Sequence, residues 1–198
     1  MFKSTKIIEL GSCAFRQPRA SHSHCRFIHG YKLQAKFWFE SKELDKNNWV
    51  VDFGSLKGLK SILNKQFDHT TCIAADDPVL PLFEEMVKAD ACDLRVMPNG
   101  TGVERIAEWC FNAANDFVRE LTQDRCKCVK AEVFEHEKNS AIYEEQSKNA
   151  DIKINASGSL ETVERKSQVQ KNQPKPVQVG TKVTNKWIDS KSTNTWGL

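Results

Sequence analysis

The stretch Tyr31–Phe39 restricts the fold more than any other part of the chain. Tyr31, Leu33, Ala35, Phe37 and Phe39 alternate with Lys32, Gln34, Lys36 and Trp38. Successive side chains on a strand point to opposite faces, so this period of two describes a strand with one face in a core and one open. Such half-buried strands belong to antiparallel sheets. The chain must therefore supply both partner strands and a layer to cover the apolar face.

The remaining segments supply both. Lys6–Phe15, with Ile7, Ile8 and Leu10, reads as a strand, and Cys126–Phe134 as a final one. Asp52 is placed to cap a helix over Phe53–Gln66, whose Leu56, Leu59, Ile62 and Leu63 recur at helical spacing. Asp77-Pro78 opens a short helix carrying Leu80, Leu82, Phe83, Met86 and Val87. Asp93–Met97 is a short strand, ended by Pro98-Asn99-Gly100. Gly102–Leu121 is a long helix with Val103, Ile106, Ala107, Cys110, Phe111, Ala114, Phe117 and Val118 on one side. The expectation is an α+β fold: a four-stranded antiparallel sheet with two long helices on one face.

Composition divides the chain in two. All seven cysteines precede Glu144, and beyond Tyr143 the only aromatics are Trp187 and Trp196. A stretch so poor in apolar surface does not offset the entropy of ordering it. A globular domain over 1–145 and a polar, flexible tail over 146–198 are expected. Pro174-Lys175-Pro176 would be a local extended spacer, and Trp187 and Trp196-Gly197-Leu198 its hydrophobic anchors, which either dock on a neighbouring subunit or stay free. From Glu144 onward there are 9 Lys or Arg against 6 Asp or Glu, so the net charge of +3 resides in the tail and the domain is neutral. A nucleic-acid-binding surface is not expected, nor is a membrane span. The odd number of cysteines, with no leader peptide in view, suits free thiols in the cytoplasm. Cys126-Lys127-Cys128 has the wrong spacing for a metal or redox pair and reads as ordinary strand residues.

Several residues could do chemistry. His22 and His24 share a face if their segment is extended, and His29 follows Cys25 by four. The cluster suits a transition metal with imidazole ligands, or it is a solvated loop. In Asp68-His69 a carboxylate can fix the tautomer of an imidazole; a loop Asp beside a surface His is the alternative. Glu135, at the end of the last strand, would matter if a ligand presented paired N–H donors to its carboxylate. Glu104 stands in the first turn of the long helix, where a carboxylate also serves the helix dipole.

Taken together, these segments resemble the 6-pyruvoyltetrahydropterin synthase and 6-carboxytetrahydropterin synthase family. The resemblance rests on Cys25-Arg-Phe-Ile-His29-Gly30-Tyr31, Val50-Val51-Asp52-Phe53-Gly54-Ser55-Leu56-Lys57, Phe67-Asp68-His69-Thr70, Pro98-Asn-Gly-Thr101-Gly-Val-Glu104 and Val133-Phe134-Glu135. It implies a tunnelling fold of ββααββ subunits that assemble through their sheets, commonly as homohexamers with active sites between subunits. It implies a lyase acting on 7,8-dihydroneopterin triphosphate. The product would be 6-carboxytetrahydropterin, on the way to 7-deazaguanine compounds such as queuosine, or 6-pyruvoyltetrahydropterin. The alternative is a non-catalytic pterin- or purine-binding protein on the same fold. Cys25 would be the general base, Asp68 and His69 a proton relay, and Glu135 the anchor of the pterin ring, with Thr101 and Glu104 beside it. The cofactor would be zinc. The family pattern uses three histidines, and this chain has Arg19 and Tyr31 where two of them stand. A rearranged His22, His24 and His29 site is therefore the expected metal centre.

Overall fold

The computed structural model describes residues 1–144, and the backbone of residues 151–154 and 160–163. The chain divides into two units, Met1–Ser147 and Lys148–Leu198.

In the first unit β1 (Phe2–Phe15) and β2 (His29–Ser41) form a long antiparallel pair, and β5 (Cys126–His136) joins the other edge of β2 antiparallel. The order across the sheet is β4-β3-β1-β2-β5-β6, with six strands where four were expected. The additions are β3 (Thr70–Ala74) and β6 (Asn139–Glu144). β3 pairs parallel with β1, and β4 (Leu94–Met97) pairs parallel with β3, so the sheet is mixed rather than wholly antiparallel.

The alternation in β2 does what its sequence requires. Leu33, Ala35, Phe37 and Phe39 are fully buried, as are Leu10 and Phe15 of β1 and Ala131 and Val133 of β5. Two helices cover that face. α3 (Val103–Thr122) contributes Ile106, Ala107, Cys110, Phe111, Ala114 and Val118, and α1 (Lys57–Phe67) contributes Leu59, Leu63 and Phe67. They touch through Phe67 and Trp109, whose rings meet edge to face at 5.1 Å. A Cβ at Gly58 would lie 2.8 Å from the Phe117 ring, so a larger residue here would require that ring to shift.

Asp52 does cap, accepting from Gly54 N at 2.8 Å, but what it caps is a 3₁₀ turn, Phe53–Leu56. α1 begins only at Lys57 and leaves Ile62 exposed. α2 (Leu80–Lys88) buries none of its residues; the expected apolar positions Leu82, Met86 and Val87 are exposed. Arg125 closes the turn into β5, donating to the carbonyls of Glu43 at 3.0 Å and Val50 at 2.9 Å.

In the second unit, β7 (Asp151–Ile154) and β8 (Leu160–Val163) form an antiparallel pair. Otherwise the expected tail, with its Pro174–Pro176 spacer and its Trp187 and Trp196–Leu198 anchors, lies outside the described residues. Among the described residues no helix is long and apolar enough to cross a membrane.

Candidate active site

Two bulges aim the functional side chains. In β1 the register with β2 slips between Glu9 and Gly11. Gly11 has φ +96°, and a Cβ there would meet the Asp68 carboxylate at 2.1 Å. The bulge thus cradles Asp68. Asp68 Oδ1 accepts from Ser12 N at 3.1 Å and lies 2.9 Å from His69 Nδ1 in charge contact without hydrogen-bond alignment, and His69 N donates to the Ser12 carbonyl at 2.7 Å. His69 sits at φ +57°, a conformation costing about 1–3 kcal/mol unless its surroundings impose it. The two side chains do form a pair. The His69 side chain is 85% exposed. Among the described residues neither member bonds to Cys25.

In β5 the register with β6 slips between Phe134 and His136, so Glu135 is the extra residue. Bulges re-aim side chains, often beside functional sites. The Glu135 side chain is half-buried. Burial first, then the charge of Glu135, then Cys25 hold the Tyr31 phenol above its ordinary pKa. Glu135 and Cys25 thus both lie within electrostatic reach of Tyr31. Aromatic rings line the place: Phe15 lies 4.8 Å from His29, His29 lies 5.7 Å from Tyr31, and Tyr31 lies 6.3 Å from His136.

The loop between β1 and β2 holds Cys25 on a 3₁₀ turn, His24–Arg26. Ser23 caps it through Cys25 N at 3.2 Å, and Gln17 N donates to the Cys25 carbonyl at 2.8 Å. All seven cysteines are free. Five are buried, and burial raises Cys126 to about 11 and Cys128 to about 12, which makes them inert at neutral pH. Of the two half-buried ones, Cys25 is the one within electrostatic reach of Tyr31.

Thr101 and Glu104 adjoin the same loop. The Thr101 hydroxyl donates to the Arg16 carbonyl. Gly102 is packed under the Gln17 amide with the Glu104 carboxylate beside it. A cavity of about 370 Å³ opens there between Gln17, Arg19, Asn99, Thr101 and Arg105. Arg16 and Arg19 clamp the loop to the segment after β3: Arg16 Nε lies 3.3 Å from the buried Asp77 carboxylate, in charge contact without hydrogen-bond alignment, and Arg19 pairs with Asp76. Gln17 and the Arg16–Asp77 pair carry no signature readable in sequence. Tyr31 does, as the tyrosine standing where the family pattern has a histidine.

The expected metal ligands do not assemble. His22 and His24 are exposed, and among the described residues no group of three or more His, Cys, Asp or Glu is placed to hold a metal ion. Extended spacing would have put His22 and His24 on one face; the Ser23-capped turn removes that geometry. His29 alone has the attributes of a ligand. Its Nδ1 lies 2.8 Å from the Phe27 carbonyl, to which it must donate, and its Nε2 is buried with no partner. A catalytic zinc takes three protein ligands and an open position, so the residues present do not fit a three-imidazole centre.

A mixed sheet with helices packed on one face defines a pterin-synthase-like tunnelling fold. The family model described as 6-pyruvoyl tetrahydropterin synthase matches residues 10–146, and the chain belongs to that family. Among solved structures, an uncharacterized protein from Wolinella succinogenes is similar with a TM-score of 0.61 at 20% identity, over 73% of this chain and 98% of that one. The 6-pyruvoyltetrahydropterin synthase of Plasmodium vivax matches with a TM-score of 0.54 at 15% identity, over 74% and 100%. That of Caenorhabditis elegans gives 0.51 at 15%, over 73% and 96%. A comparison with curated proteins finds no match.

Proposed function

We propose that this protein is a pterin side-chain lyase that takes 7,8-dihydroneopterin triphosphate and forms 6-carboxytetrahydropterin. The 6-pyruvoyltetrahydropterin reaction on the same substrate is its nearest variant. The observation that carries the reading is the match of residues 10–146 to the 6-pyruvoyl tetrahydropterin synthase family, within which Cys25 and Glu135 both lie in electrostatic reach of Tyr31. On this reading Cys25 is the thiol base and Glu135 the ring anchor. The Glu135 carboxylate accepts from the pterin ring N–H and amino group together. Cys25 then removes a proton from the side chain carbon brought next to it. Thr101 and Glu104 hold the loop that presents Cys25. Asp68 and His69 face outward, so they serve the side chain bound on a neighbouring subunit of a homo-oligomer, a hexamer in the family's usual form. Free thiols suit a cytoplasmic location.

A second reading, a pterin- or purine-binding protein without turnover, is favoured by the exposed positions of His22 and His24. Incubating the full chain with 7,8-dihydroneopterin triphosphate and identifying products by mass spectrometry separates the two. Release of triphosphate with a new tetrahydropterin supports the lyase; tight binding with unchanged substrate supports the second reading.

A further inference from the structure

We infer that Tyr31 takes the place of a metal in this chain: the ligand's side chain meets the Tyr31 hydroxyl and the unpaired nitrogen of His29 instead of a zinc ion. The hydrogen-bonding part of this inference rests on the pterin reading; the metal part stands without it.

His29 and Tyr31 are two apart on β2 and so point to one face of the sheet. Their rings meet edge to face at 5.7 Å, 82° apart, with Phe15 packed against both. The Phe27 carbonyl can only accept, so His29 Nδ1 carries the proton and Nε2 has the lone pair. That nitrogen is buried with no protein partner. A buried acceptor without a donor is unfavourable, and a hydroxyl or N–H from a ligand relieves it. The Tyr31 phenol, on the same face of β2 with its ring 5.7 Å from that of His29, supplies a donor beside it. The other positions that could complete a metal site are engaged or turned outward. Arg19 is paired with Asp76, and His22 and His24 lie on the exposed side of the Cys25 loop. One imidazole and one neutral phenol make a hydrogen-bonding pair, not a zinc centre.

The test uses the full chain, expressed with zinc supplied and dialysed without chelator. Wild type is expected to carry less than about 0.1 zinc per chain, since one imidazole falls short of the ligands zinc requires. Tyr31→His places two imidazoles on one face of β2 and, with the Cys25 thiolate as the third ligand, is expected to retain a substantial fraction of one zinc. Binding of 7,8-dihydroneopterin, followed by its fluorescence, is expected to weaken about tenfold in Tyr31→Phe and in His29→Phe, each change removing one hydrogen bond, with circular dichroism unchanged. About one zinc per wild-type chain overturns the inference. So does a Tyr31→His variant as poor in zinc as wild type, for then Tyr31 is not what excludes the metal. Undiminished affinity in both Phe variants overturns the hydrogen-bonding part. If wild type binds no dihydroneopterin at all, the pterin reading fails while the zinc measurements still decide the metal.

Discussion

His29 and His69 are built alike and placed oppositely. In each, the chain itself holds Nδ1: that of His29 donates to the Phe27 carbonyl, and that of His69 lies 2.9 Å from the Asp68 carboxylate in charge contact. In His29 the other nitrogen, Nε2, is buried among Phe15 and Tyr31; the His69 side chain is 85% exposed. The first imidazole is packed among rings of its own chain. The second is anchored through its backbone N–H to the Ser12 carbonyl and is largely exposed. Precise positioning with full exposure is what a group needs when its target is carried by another surface, whereas precise positioning with burial suits a target that comes inside.

Breaking the enclosed region has the largest expected effect. Cys25→Ala should lower turnover of 7,8-dihydroneopterin triphosphate by about 10²–10⁴-fold, the range for losing a general base, while fluorescence still registers substrate binding. Mixing inactive Cys25→Ala chains with inactive His69→Ala chains should then restore part of the activity, since the proposed site draws the two groups from different subunits. Failure to complement under conditions of subunit exchange would place both in one chain's site and erase the contrast. Glu135→Gln should weaken pterin binding by about 10–100-fold, as expected for a charge-assisted hydrogen bond.

The outward region is probed through its scaffold. Gly11→Ala forces a Cβ into the Asp68 carboxylate at a positive φ. It should cost about 2–3 kcal/mol in urea unfolding and cut turnover more than pterin affinity. The smallest effect is spectroscopic. The Tyr31 pKa is raised above its ordinary 10.0 in the folded protein. A raised pKa contributes stability that is complete below the unfolded value and lost as pH climbs through the folded one. Stability should therefore decline in alkali above about pH 10, less so in Tyr31→Phe, and of the two tyrosines one should ionise late at 295 nm.

Much of this architecture was legible in the residues. The alternation in Tyr31–Phe39 and the helical spacing in Gly102–Leu121 survive because each is long enough for periodicity to outweigh local exceptions. Thr70–Ala74 carries no strand signal in the sequence: four of its five residues are buried between β1 and β4 without alternation, and parallel pairing leaves no turn signature. Leu82, Met86 and Val87 have helical spacing, but spacing says nothing about whether a neighbour exists to cover them. At the site, Cys25 and Glu135 could be picked out by motif. Their nearness to Tyr31 depends on the Glu135 bulge and the Ser23-capped turn, neither of which a motif records. The same turn undoes the sharing of a face expected for His22 and His24.

The bulge at Glu135 also bears on how this pocket could change over generations. Side chains alternate along β5, so deleting one residue near Phe134 would turn the carboxylate to the opposite side of the sheet while every amino acid type in the motif stayed in place. Descendants could thus lose or regain the ring anchor by a three-nucleotide change in length. A tally of matching residues would miss it, and the count of residues between Val133 and the β6 hairpin is the trait to compare.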